Sequence, residues 1–224
     1  MIWVLIAALL GVGEAPTLSA RAAELIAPVR EALEAERRAQ AALPPPASDS
    51  ERLERMGRLD QVGRRVLTGV DLSVLPPGEI KVARKAMWAP IEEADAENEK
   101  ALLAMIPPEG WFLKSRYGDK GAKAAFMIVQ HSNLALWRRF VPVLEPLVAK
   151  GEVDGQSYGL MYDRLAINEG RPQRYGSQMT CKGGKYVVDT LEAPETVDER
   201  RKAMGFTQSL AEYEAVFAQY PPCN

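Results

Sequence analysis

"GAKAAFMIVQHSN", residues 121–133, runs apolar without a break from Ala124 to Val129 and then meets the only histidine of the chain, His131. At helical spacing such a run is apolar on every side, and a helix of that kind is buried rather than half-exposed. A buried central helix needs other helices around it. "TLSARAAELIAPVREALEAERRAQAAL" (17–43) is rich in strong helix formers, with Ser19 able to cap it and Pro28 placed to kink it. A second helix begins near Ser50, carrying an apolar stripe of Leu53, Met56, Leu59 and Leu67 with Val66 beside it. "PPGE" (76–79) is a turn that starts a third helix, expected to be interrupted at Pro90 and ended by "PPEGW" (107–111). "LALWRRFVPVLEPLVAKG" ends at Gly151 and "GQSYGLMYDRLAINEG" closes at Gly170, with Pro172 just beyond.

The periodicity then changes. "QRYGSQMTC", "KGGK" and "YVVDT" (173–190) read as a β-hairpin turning at glycine, and "DERRKAMGFTQSLAEYEAVF" (198–217) returns to helix. The sequence therefore predicts a mainly α domain with one small hairpin near residues 173–190. Its expected organisation is a signal segment over 1–13, a helical arm and Pro-rich linker over 14–49, and the helical domain with its hairpin over 50–224.

The opening run "MIWVLIAALLGVG" stops at Glu14. As a helix it spans about 20 Å, short of the roughly 30 Å hydrocarbon core, so a secretory signal fits better than a membrane span. Gly11 and Gly13 are small enough to precede a cleavage site, although no basic residue follows Met1. The expected location is periplasmic or secreted, with no stable span once the run is removed; the other readings are a membrane anchor if it stays uncleaved and a buried N-terminal helix. In an oxidising compartment, Cys181 and Cys223 are an even pair that would close a disulfide, the other reading being two unrelated thiols.

A formal net charge of −2 with mixed acidic and basic residues argues against a nucleic-acid partner, which would call for a basic stripe. No phosphate-binding loop, dinucleotide fingerprint or zinc-ligand cluster is present, so no cofactor is expected. A single histidine excludes sites that need two imidazoles from one chain. His131 with Asp60 and Asp95 would form a mixed oxygen and nitrogen metal site only if three helices converged. No local spacing supports that, and no metal is expected.

His131 lies four residues after Met127 and three after Ile128, against core side chains. It reads either as a core imidazole bonded to a carbonyl or as a general acid or base, with Gln130 and Asn133 beside it. Asp60 and Arg64, like Gln61 and Arg65, are spaced i, i+4, and Asp95 and Asn98 share a face at i, i+3. Surface pairs and solvated faces give the same spacings. Asp163 and Arg164 end an apolar helix, where Arg164 either complements the macrodipole or clamps an anion through its planar fork. On a strand, Gln173, Tyr175 and Ser177 would share one face and Arg174, Gly176 and Gln178 the other, forming a polar wall.

At "GAKAAFMIVQHSN" (121–133) and "DRLAINEGRPQRYGSQ" (163–178) the sequence resembles a bacterial family of unknown function. Its members share a pattern like Gly-Ala-x-Ala-Ala-(apolar)-Gln-His-Ala-Asp, then Asp-Arg, Gln-x-Tyr-Gly-Thr-Gln and Asp-x-Arg-Arg. "DQVGR" (60–64) and "DAENEKAL" (95–102), ahead of "GWFLKSRYG" (110–118), also look like that family's elements. The likeness runs over roughly residues 50–215 and implies membership, not an activity. Two positions depart from the pattern: Asn133 replaces an aspartate and Ser177 a threonine. The first removes the obvious orienting carboxylate for the imidazole.

Two functions follow as expectations. One is a cofactor-independent hydrolase or transferase acting on a small polar or peptide-like substrate. In it His131 is the acid or base in a cleft against the 173–178 strand, Arg64 or Arg164 binds an anionic group, and Tyr175 and Gln178 orient the substrate. The other is a non-catalytic periplasmic module that uses the same polar residues to recognise a peptide, glycan or protein.

Overall fold

A computed structural model describes residues 18–220, 222 and 223. The expectation of a signal segment over residues 1–13 falls outside them. Among the described residues the chain forms eight α-helices and one two-stranded antiparallel sheet. The helices are α1 (Ala20–Ala41), α2 (Asp49–Leu67), α3 (Pro77–Ala104), α4 (Lys114–Gln130), α5 (Leu134–Val148), α6 (Gly155–Asn168), α7 (Val197–Ala203) and α8 (Leu210–Phe217). Strands β1 (Met179–Lys182) and β2 (Lys185–Val188) pair with Met179 opposite Val188, turning at Gly183 and Gly184. No described helix is long and apolar enough to cross a membrane.

Helix ends follow local chemistry. The Ser19 hydroxyl accepts from the Ala22 amide at the start of α1, and Ser48, two residues before the expected start, caps α2 through the Glu51 amide. Two boundaries differ from expectation. Pro90 does not interrupt α3, which runs through it. The ring removes one backbone donor, but Pro90 is buried between Met87 and Ile91, and packing there outweighs the lost bond. The C-terminal helix is two helices. Gly205, at φ +76°, ends α7 in the left-handed region, and Ser209 with Glu212 forms a reciprocal cap that starts α8.

The core has two apolar clusters. One gathers Leu53 and Met56 of α2, Leu102 of α3, and the inner faces of α4, α5 and α6 around Trp111 and Phe112. The other packs α1 against the first half of α3, with Leu59, Val62 and Val66 of α2 at its edge. Helices α2 and α3 therefore contribute to both clusters, and their residues at the changeover are polar: Asp60 on one, Asp95 and Asn98 on the other. The central contact is α2 against α4. A Cβ at Gly57 would lie 2.6 Å from the Ala124 Cβ, so these helices cross at a distance only glycine permits.

Cys181 and Cys223 are within disulfide-bonding distance, with Cα atoms 5.8 Å apart, tying the C-terminal end to β1.

Candidate active site

The seam between the clusters holds a connected polar group. Asp60, on α2, is 1% exposed. Its carboxylate lies 2.9 and 3.0 Å from Nδ1 of His131, which caps the C-terminus of α4. A carboxylate only accepts, so Nδ1 carries a proton, and in the neutral ring Nε2 presents its lone pair. Gln61 donates to the second Asp60 oxygen at 2.6 Å. Arg64, one turn along α2, donates to the Asp60 carbonyl at 2.8 Å and its carboxylate at 3.2 Å. The same guanidinium forks onto both oxygens of Asp95 on α3, at 2.9 and 2.7 Å. Asn98, one turn after Asp95 on α3 and buried, donates separately to the Met56 carbonyl of α2 at 3.1 Å.

The ring of His131 keeps a side-chain exposure of 15%. Among the described residues its only side-chain hydrogen-bond partner is Asp60. The arrangement is an imidazole held in one tautomer by a buried carboxylate, with the other nitrogen available: the geometry of a general base.

The expectation that Asn133 deprives the imidazole of its carboxylate is corrected here, because the partner comes from residue 60. Asn133 instead caps α5, accepting from the Ala135 and Leu136 amides and donating to Glu99. The three helices required for a metal site do meet. The Arg64 guanidinium, however, bridges the two carboxylates, and no group of three His, Cys, Asp or Glu side chains among the described residues is arranged to hold a metal ion.

The second half of the expected site is built differently. Residues 173–178 are not a strand; the hairpin starts at Met179. They wrap around Asp163, which is fully buried on α6 and accepts from the amides of Arg174, Tyr175 and Ser177 at 2.7–3.2 Å. A loop whose amides point to one carboxylate cannot also make a strand ladder. Burial pushes the Asp163 carboxyl up from its ordinary value, against the three amide bonds that favour the anion. Gln173, also fully buried, donates to the Gln178 and Asp189 carbonyls and accepts from the Gln178 amide. Gln178 donates to Ser177 Oγ at 3.0 Å and to the Leu160 carbonyl at 3.4 Å. The ring of Tyr175 is buried and stacked on Phe206.

The structure thus assembles Asp60, Gln61, Arg64, Asp95, Asn98 and His131 in one place. It assembles Asp163, Gln173, Tyr175, Ser177 and Gln178 in a second. Arg164 joins the two, donating to the Gln130 carbonyl at 3.1 Å, immediately before His131. The hydrogen bonds of the His131 side chain among the described residues run to α2, and none runs to the 173–178 segment.

Arg200 and Arg201 were given no role from sequence alone. Arg200 donates to the Arg174 carbonyl at 2.8 Å and Arg201 to those of Tyr175 and Gln208 at 2.7 and 2.9 Å, so both clamp the loop from outside. The adjacent arginines of "DERR" were the available signal. A cleft of about 770 Å³ opens elsewhere, between α4, the 151–157 turn and Gly205–Thr207; Trp111, Lys123, Met127 and Ser157 line it, and no expected site residue does.

No curated protein and no solved structure matches the chain. A family model does match, over residues 46–219, which takes in every helix from α2 to α8 and both polar clusters, and the chain belongs to that family of unknown function, DUF6624.

Proposed function

We propose that the protein is a cofactor-independent enzyme of an oxidising compartment, a hydrolase or transferase acting on a small polar or peptide-like substrate, in which His131 is the general acid and base. The observation that carries this reading is the bond from His131 Nδ1–H to the buried Asp60 carboxylate. That bond fixes the ring, and an imidazolium formed when Nε2 takes a proton would lie directly against a carboxylate. The electron pair of Nε2 removes a proton from water or a substrate hydroxyl as it attacks. The same nitrogen returns the proton to the leaving group. Arg64 holds Asp60 and Asp95 in register. The disulfide-distance cysteine pair is compatible with an extracytoplasmic location.

A non-catalytic binding module is the second reading, favoured by the cleft of about 770 Å³ that lies apart from His131. In that case His131 is a structural hydrogen-bonder. Carbethoxylation of the single histidine by diethyl pyrocarbonate separates the two. An open Nε2 activated by Asp60 reacts readily in the wild type and more slowly in Asp60→Asn. A ring that the reagent does not reach, or one indifferent to Asp60, would contradict the catalytic reading. A screen of small esters, amides and glycosides then looks for turnover that falls about a hundredfold or more in His131→Gln.

A further inference from the structure

Two arginines were candidates to hold an anion, and the structure separates them. Arg64 has both terminal nitrogens engaged with Asp60 and Asp95. Arg164 is half-buried, yet the only hydrogen bond its guanidinium makes among the described residues is to the Gln130 carbonyl. Its titratable neighbour is Tyr213, a neutral phenol at ordinary pH, and its Cζ lies 5.8 Å from the Trp137 ring centroid. Burial holds its pKa below the ordinary guanidinium value, as expected where no carboxylate offsets the lost hydration.

Capping α4 accounts for one of the five N–H donors of Arg164 and leaves the charge uncompensated. Arg201 also lacks a bonded carboxylate among the described residues, but it is 2% exposed and closed over by the loop it clamps, so nothing from solvent reaches it. Arg164 retains access. One turn before it on α6, the Leu160 carbonyl accepts from the Gln178 side chain at 3.4 Å.

We infer that Arg164 is the anchor for an oxyanion, a carboxylate or phosphate group, carried by the substrate of the His131 centre. The claim that the anion belongs to a substrate rests on the catalytic reading above. The reach is set by Gln130, whose carbonyl takes the Arg164 bond while the next residue supplies the base. A planar fork suits either anion, because both present two oxygens at matching spacing. Trp137, within cation–π distance of the guanidinium, occupies one direction of approach to it.

The test is a titration of the full chain with inorganic phosphate and, separately, acetate, following by NMR the Nε–Hε signal of Arg164 in the wild type and the indole Nε1–H signal of the neighbouring Trp137 in wild type and variants alike. The expected result is a saturable shift with at least one of them, weakened in Arg164→Lys, which keeps charge without the fork, and lost in Arg164→Gln. A response to phosphate alone assigns a phosphoryl group, and one to acetate alone assigns a carboxylate. The absence of a saturable shift in the wild type with either anion overturns the proposal. That comparison needs no variant to fold. Carbethoxylation judges the base independently: a reactive His131 beside a silent Arg164 removes the anion and keeps the dyad. A saturating Arg164 beside an unreactive His131 keeps the anion site and removes the dyad.

Discussion

Arg64 bonds to two carboxylates from two helices, and its side chain is 16% exposed, while Asp60 is almost wholly buried. Removing one member of such a group leaves charge without a partner where water is scarce, which typically costs several kcal/mol. Arg64→Ala is expected to lower stability by about 3 kcal/mol, measured by urea unfolding. Arg64→Lys is expected to recover only part of this, because an ammonium cannot fork onto Asp95 and also reach Asp60. Equal stability of Arg64→Ala and wild type would show that the pair is solvated. The members of this group were individually legible: Asp60, Arg64, Asp95, Asn98 and His131 all stood out by spacing or by motif. Their meeting was not, because the carboxylate of the imidazole is 71 residues upstream and the nearer polar residue, Asn133, serves as a helix cap.

Between elements, the approach of α2 to α4 sets where Asp60 and His131 fall. Gly57 sits at that crossing, so Gly57→Ala gains helix propensity of up to about 1 kcal/mol but forces the helices apart. Overpacking of this kind costs about 1–3 kcal/mol. The expected outcome is a net loss of stability with a changed NMR environment at the His131 ring. The loop around Asp163 carries a second prediction. Asp163→Ala strands three amide donors and is expected to cost about 3 kcal/mol, with faster hydrogen exchange at Arg174, Tyr175 and Ser177. Because the folded-state pKa of Asp163 is raised, its contribution is fully present below the ordinary aspartate value and is lost as pH rises through the folded value. Urea midpoints across acidic to neutral pH are therefore expected to show a falling component in the wild type that Asp163→Asn lacks. The helices and the hairpin turn were legible because caps, glycines and apolar runs act locally. The 173–178 segment alternates like a strand only in its side chains, whereas a single distant carboxylate organises its backbone.

At the scale of the molecule, two apolar clusters share α2 and α3, and the polar group lies where they join. Apolar burial on both sides holds Asp60 and His131 together without a rigid loop. The Cys181–Cys223 pair fastens the C-terminal end to β1, beside the aromatic side of α8, where Tyr213, Phe217 and Tyr220 cluster with Tyr186 of β2. Closing a loop with a sequence separation of 42 residues is worth about 4 kcal/mol on the chain-entropy account. Reduction is expected to remove roughly that much stability in urea unfolding while leaving the His131 ring environment intact, since none of the bonds to Asp60 involves the hairpin. The most direct test of the whole account is the tautomer of the one histidine, read by two-bond ¹H–¹⁵N correlation above the pH at which the ring loses its charge. The account predicts a proton on Nδ1 and a bare Nε2, while a ring protonated on Nε2 would contradict the Asp60 bond and the base built on it.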